Sequence, residues 1–113
     1  MSTRVAALSE LSDRTPKRVE VDGEPVVLVR LDDEVRALHD TCSHQEWSLA
    51  EGMCFGREIE CDLHGATFSL DDGSALSLPA IKPVPTYRVT VEGDDVLVDA
   101  TTPTNGAPVP DHF

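Results

Sequence analysis

Two short pairings of cysteine with histidine are the residues here that could do chemistry. One is Cys42-Ser43-His44, a C-x-H; the other is Cys61-Asp62-Leu63-His64, a C-x-x-H; residues 45–60 separate them. Thiolates and neutral imidazoles both bind borderline-soft metals. In an extended C-x-H, residues i and i+2 project to the same side, and the second pair offers its ligands across a turn. Together the four suit either a zinc ion held by two Cys and two His, or a two-iron, two-sulfide cluster. In the cluster the cysteines hold one iron and the histidines the other, so each loop gives one ligand to each metal. Zinc sites usually draw pairs from C-x₂₋₄-C or H-x₃₋₅-H units. Here each unit is mixed and the first gap is a single residue, which favours the cluster and leaves structural zinc as the alternative.

Such ligands need rigid elements to hold them, and the surrounding pattern is that of short strands. Val19-Glu20-Val21, the β-branched run Val26 to Leu31 and the alternating Glu34 to Leu38 read as strands, joined by turns at Asp22-Gly23-Glu24-Pro25 and Asp32-Asp33. The last of them ends just before Cys42. A second group, Glu58 to Cys61 and Ala66 to Leu70, flanks the second pair. Tyr87 to Glu92 and Val96 to Asp99 form a closing hairpin around Gly93-Asp94-Asp95. Helical periodicity is nearly absent, apart from a possible single turn at Ser48 to Glu51. Turn signals at this spacing predict an all-β fold, a sandwich or barrel. The folded domain is expected over residues 1–100. Residues 101–113, with Pro103, Gly106, Pro108 and Pro110, are expected to form a flexible C-terminal tail.

The 113 residues suffice for one domain. Nine Lys and Arg against 21 Asp and Glu give a net charge of −12. That field repels phosphate backbones and anionic lipid, so neither nucleic acid nor membrane is an expected partner. It attracts basic protein patches, with fast, salt-sensitive encounter. The N-terminus lacks an apolar stretch suited to a signal peptide, and no run is long enough to span a bilayer. The cytoplasm is therefore expected, where Cys beside His points to metal before disulfide.

The pattern C-x-H…C-x-x-H resembles the signature of Rieske proteins. The run from Cys42 to Gly52, with Gln45, Glu46, Trp47 and Ser48, is similar to the ferredoxin components of ring-hydroxylating dioxygenases. The likeness extends from about Arg4 to Asp99 and includes Leu78-Pro79-Ala80, which matches the proline-containing loop that covers the cluster in that family. Thr15 to Val21 and Leu78 to Pro85 also resemble small actinobacterial Rieske ferredoxins encoded beside iron–sulfur assembly proteins. The resemblance implies an all-β, Rieske-like fold of stacked antiparallel sheets with two cluster-binding loops, and one Rieske [2Fe–2S] cluster per chain, bound by Cys42, His44, Cys61 and His64. It implies a monomeric one-electron carrier between a flavoprotein reductase and an oxygenase or other redox enzyme. It does not imply an enzyme: an oxygenase needs a second iron site, and only His39 and His112 remain after the ligands. The same residues leave room for a role in cluster assembly or sensing, for the small subunit of a nitrite reductase-type complex, or for a zinc interaction module.

Departures from relatives in cytochrome bc-type complexes narrow the chemistry. Trp47 and Leu63 stand where those proteins carry a disulfide, and Gly65-Ala66 stands where they donate a Ser hydroxyl. Hydrogen bonds to the sulfurs raise the potential, so their loss predicts a midpoint on the order of −150 mV, falling at alkaline pH as a bound imidazole deprotonates. Asp62 adds negative charge or merely turns the chain. Gly65 lets the loop turn tightly, and Trp47 is expected to pack as a lid. Cys54 is expected to be a half-buried free thiol, His39 a surface or hydrogen-bonded residue, and His112 solvated.

Overall fold

The run Val26-Val27-Leu28-Val29 lies at the centre of the molecule because both of its faces are covered, and all four residues are fully buried. Continuous β-branched sequence is what a strand needs when neither face meets water. The computed structural model describes residues 3–21, 23–32, 34–40, 49–60, 67–76, 83–99 and 104–105. Among these lie β1 (Thr3–Ala7), β2 (Lys17–Val21), β3 (Glu24–Leu31), β4 (Glu34–His39), β5 (Met53–Phe55), β6 (Glu58–Glu60), β7 (Thr67–Ser69), β8 (Thr86–Glu92) and β9 (Asp95–Asp99). Single 3-10 turns occupy Leu8–Glu10 and Leu49–Glu51. The expected all-β class of antiparallel sheets is what is found, and the anticipated turn before Gly52 is the second 3-10 turn.

The larger sheet has six strands in the order β1-β9-β8-β4-β3-β2, and the smaller has three, β5-β6-β7. β1 and β2, at the two ends of the larger order, touch each other, so that sheet curls round on itself. Its interior holds Ala6, Val21, Val26, Leu28, Val35, Ala37, Tyr87, Val96 and Val98, with Leu11 from the connection after β1. Its outer face turns Val27, Val29, Leu31 and Leu38 onto Ile59 and Phe68 of the small sheet, with Leu49, Leu70 and Val84 filling in. Burial of a side chain such as Phe68 or Ile59 contributes on the order of 1.5–3 kcal/mol.

Short turns fix the registers. Val21 pairs with Glu24, Leu31 with Glu34, Phe55 with Glu58 and Glu92 with Asp95, so each hairpin closes in two residues. Such loops need positive φ, and Asp32 (φ 58) and Gly56 (φ 56) supply it. A square of ions then ties the sheets together. Arg57, in the β5–β6 turn, donates to Asp71 (Nε to Oδ2 2.9 Å) and to Glu34 at the start of β4 (3.2 Å). Arg36 donates to Glu34 (2.6 Å) and Asp71 (3.4 Å).

Of the expected tail, Thr104 and Asn105 are described, and both are hydrogen-bonded. Thr104 N–H donates to the Thr86 carbonyl (2.7 Å). Asn105 Nδ2 donates to the carbonyls of Asp72 (2.8 Å) and Val84 (2.9 Å), and its Oδ1 accepts from Thr86 N–H (3.3 Å).

Candidate metal centre

The expected ligands Cys42, His44, Cys61 and His64 lie outside the described residues, as do Trp47, Asp62, Leu63, Gly65, Ala66, Leu78, Pro79, Ala80 and His112. The described residues form the frame from which those segments spring.

The first segment, 41–48, leaves β4 through Asp40 and returns at Leu49. Its base is closed across the gap: Leu49 N–H donates to the Asp40 carbonyl (2.6 Å) and Ala50 N–H to the Asp40 carboxylate (2.9 Å). Asp40 thereby caps a 3-10 turn that lies beyond the segment carrying Cys42 and His44. It is 2% exposed, its own N–H donates to the Pro25 carbonyl (3.0 Å), and Arg18 Nε approaches its other carboxylate oxygen at 3.7 Å. The second segment, 61–66, is a hairpin loop whose base is the pair Glu60–Thr67. These two bases touch. Gly52 follows the 3-10 turn, and a Cβ on it would lie 1.8 Å from the Glu60 carbonyl oxygen, the residue before Cys61.

The third segment, 77–82, links the same two places. Leu76 N–H donates to the Thr67 carbonyl (2.8 Å), beside the second base. On the return, Val84 N–H donates to Gly73 (2.9 Å), and the Pro85 carbonyl accepts from His39 N–H (2.8 Å), beside the first base. A C-x-H and a C-x-x-H thus leave adjacent anchor points, and the described ends of the third segment bond beside both. Two soft thiolates and two imidazoles from neighbouring loops fit a [2Fe–2S] cluster with one Cys and one His per loop. Among the described residues, no group of three or more His, Cys, Asp or Glu side chains could hold a metal ion.

The described candidates fall away from ligation. Cys54 is a free thiol packed against the core between the sheets; burial, ahead of all other influences, pushes its thiol up and away from thiolate. His39 is fully buried behind the first loop, its Nε2 3.1 Å from Glu24 Oε2, which is the hydrogen-bonded state expected for it. Tyr87 packs near it, ring centroids 6.5 Å apart. Burial, and then the Glu24 charge, pushes the Tyr87 phenol up to about 12. Sequence reasoning missed Asp40, Gly52, Glu24 and Asn105. The Gly after the predicted turn was the only local signal among them; the rest act through partners distant in the chain.

Comparison with known proteins agrees with this frame. The Rieske [2Fe–2S] domain model matches residues 1–88. The ferredoxin component of biphenyl 2,3-dioxygenase from Rhodococcus jostii (strain RHA1) is 40% identical over 97 residues, covering 86% of this chain and 91% of its own. The ferredoxin of carbazole 1,9a-dioxygenase from Nocardioides aromaticivorans IC177 superposes with a TM-score of 0.85 at 39% identity, covering 87% of this chain and 96% of its own. A chain from a complex of reduced oxygenase and oxidized ferredoxin in carbazole 1,9a-dioxygenase gives 0.83 at 31% identity, over 96% of this chain and 97% of that one. These matches favour an iron–sulfur cluster over zinc. The chain belongs to the Rieske [2Fe–2S] family and carries one such cluster.

Proposed function

We propose that this chain is the ferredoxin component of a ring-hydroxylating dioxygenase system. It takes one electron at a time from a flavoprotein reductase and passes it to an oxygenase. The observation that carries the reading is the contact of Gly52 with Glu60, which joins the described bases from which segments 41–48 and 61–66 leave. Cys42 and Cys61 are assigned to one iron and His44 and His64 to the other. When bound, the cluster supplies a one-electron redox centre; the protein's part is to hold the four ligands and present the loop tips to a partner. The relatives' names support an electron carrier rather than a catalyst. The pairing of a ferredoxin with an oxygenase in carbazole 1,9a-dioxygenase supports an oxygenase as acceptor. The folded unit is residues 1–100, followed by the C-terminal tail 101–113, of which Thr104 and Asn105 are hydrogen-bonded to the fold. The net charge of −12 suits a monomer that meets basic partners in the cytoplasm. Among the described residues no helix is long and apolar enough to cross a membrane.

The test is direct. Anaerobically purified protein should be red-brown, with two irons and two sulfides per chain and a midpoint on the order of −150 mV. Cys42→Ser should purify colourless. Reduced protein should support turnover of a biphenyl-type dioxygenase that lacks its own ferredoxin. A colourless protein with stoichiometric zinc, or a midpoint well above 0 mV, overturns the corresponding part of this assignment.

A further inference from the structure

The small sheet has two unlike faces. Strand alternation turns Cys54, Ile59 and Phe68, one cross-strand row, toward the core. The neighbouring rows, Met53–Glu60–Thr67 and Phe55–Glu58–Ser69, therefore face out. Ala75 bridges to Phe68 and Leu76 N–H donates to the Thr67 carbonyl, so Leu76 extends the first row by one strand. Met53 is 57% exposed, Phe55 51% and Leu76 49%, and among the described residues the only other exposed large hydrophobic is Val91, on β8. Met53 and Leu76 stand three strand spacings apart, about 14 Å, with Glu58 and Glu60 between the apolar groups.

This face also borders the loops that hold the cluster. Glu60 immediately precedes Cys61, Thr67 follows the 61–66 loop, and Leu76 precedes the 77–82 segment. Exposed apolar side chains on both flanks of a pair of carboxylates suit a surface with apolar contacts and a rim of Lys or Arg. They suit a second copy poorly. Face-to-face apposition would bring Glu58 and Glu60 of both chains into one interface, and each chain carries a net charge of −12. We infer that the outer face of β5-β6-β7, with Met53, Phe55 and Leu76 around Glu58 and Glu60, is a docking surface for a redox protein whose apolar contact area is ringed by basic side chains. This rests on the electron-carrier reading and adds to it a side of the molecule beyond the tips of the ligand loops.

The test uses the reduced holoprotein and oxidised mitochondrial cytochrome c, a protein with an exposed haem edge ringed by lysines, followed by stopped flow. The double variant Met53→Ser/Phe55→Ser should lower the second-order rate constant about tenfold. Glu58→Gln should flatten its dependence on ionic strength. Val91→Ser, on the other sheet, should leave it unchanged. Ferricyanide reduction separates the failures. A holoprotein that cannot reduce ferricyanide overturns the carrier reading and this one with it. If all variants reduce ferricyanide alike and the Met53/Phe55 variant also matches the unsubstituted protein toward cytochrome c, the docking face alone is overturned. A dimer in sedimentation that Phe55→Ser dissolves would give the face to a second copy and equally overturn the proposal.

Discussion

Gly52→Ala is the substitution that bears most directly on how the two ligand loops are held. The residue's neighbours leave no room: its Cβ would lie 1.8 Å from the Glu60 carbonyl oxygen, 2.9 Å from the Glu60 carbonyl carbon and 3.3 Å from the Leu49 oxygen. All three are backbone atoms, so no rotamer change relieves the clash. Ordinary contact begins at 3.4 Å, so Gly52 and Glu60 must part by about 1.6 Å. Overpacking in a well-packed region costs about 1–3 kcal/mol, and a clash between two backbones belongs at the upper end. At about 3 kcal/mol, a domain of this size loses roughly 12–24 °C in Tm. The displacement falls between the base of the 41–48 loop and the residue before Cys61, so the separation of the ligand pairs changes with it. Because cluster binding is also folding free energy, Gly52→Ala should purify with less than one cluster per chain and lose it faster to a chelator. The assay is iron and sulfide per chain together with thermal unfolding of the holoprotein. Gly56→Ala is the control: nothing lies within 4 Å of its Cβ, but its φ of +56 costs an L-residue about 1–2 kcal/mol. It should lower the Tm by roughly 4–16 °C and keep its cluster. If Gly52→Ala kept full cluster content, an unchanged midpoint and an unchanged Tm, adjacent loop bases would not be what positions the ligands.

The Tyr87 hydroxyl is buried and meets no hydrogen-bond partner among the described residues, so Tyr87→Phe should leave stability unchanged or raise it by about 1 kcal/mol in urea titration; a clear loss would reveal a partner. Asn105→Ala removes the bonds to Asp72, Val84 and Thr86 and should cost about 1–3 kcal/mol, and deleting residues 101–113 should cost at least as much. Arg57→Ala should change stability little near neutral pH, because Arg57 and Asp71 are each about half exposed. Its signature is in pH. Arg57, the largest influence, holds the Asp71 carboxyl below its ordinary value of 3.8 in the folded protein. A depressed carboxyl stabilises the fold in full above its unfolded value and loses that contribution as pH falls through the folded one. The advantage of the unsubstituted protein over Arg57→Ala should therefore persist above pH 3.8 and fade below it in acid-unfolding curves.

The parts of the fold legible in the sequence were those whose signals are local. The β3–β4 hairpin announces itself through a β-branched run and a two-residue Asp turn. β5 was missed because its outward residues, Met53 and Phe55, are apolar and exposed, so the strand shows no apolar–polar alternation to read. β1 was missed because Thr-Arg-Val-Ala-Ala has little strand propensity of its own. It is extended because it pairs with β9 from the far end of the chain and seats Ala6 in the curled sheet. That failure has the same physical origin as the failure to see the frame of the metal centre.

Ligand identity is a local property, but ligand placement is not. Nothing near Cys42 in sequence says that Asp40 will reach across the loop to cap a turn at Leu49 and Ala50. Nothing near Cys61 says that the preceding carbonyl will rest on a glycine. Each of those contacts closes a loop, and loop closure is a matter of chain entropy and tertiary packing rather than of residue pattern. The distinction has a functional consequence. On the proposed assignment, a substitution in the motif should remove the cluster outright, whereas one at Asp40, Gly52 or Asn105 should leave all four proposed ligands present and change how well they are prepositioned. An electron carrier needs its redox centre held with little rearrangement between states, so the frame rather than the motif is where closely related chains with the same four ligands can differ in potential, cluster retention and rate.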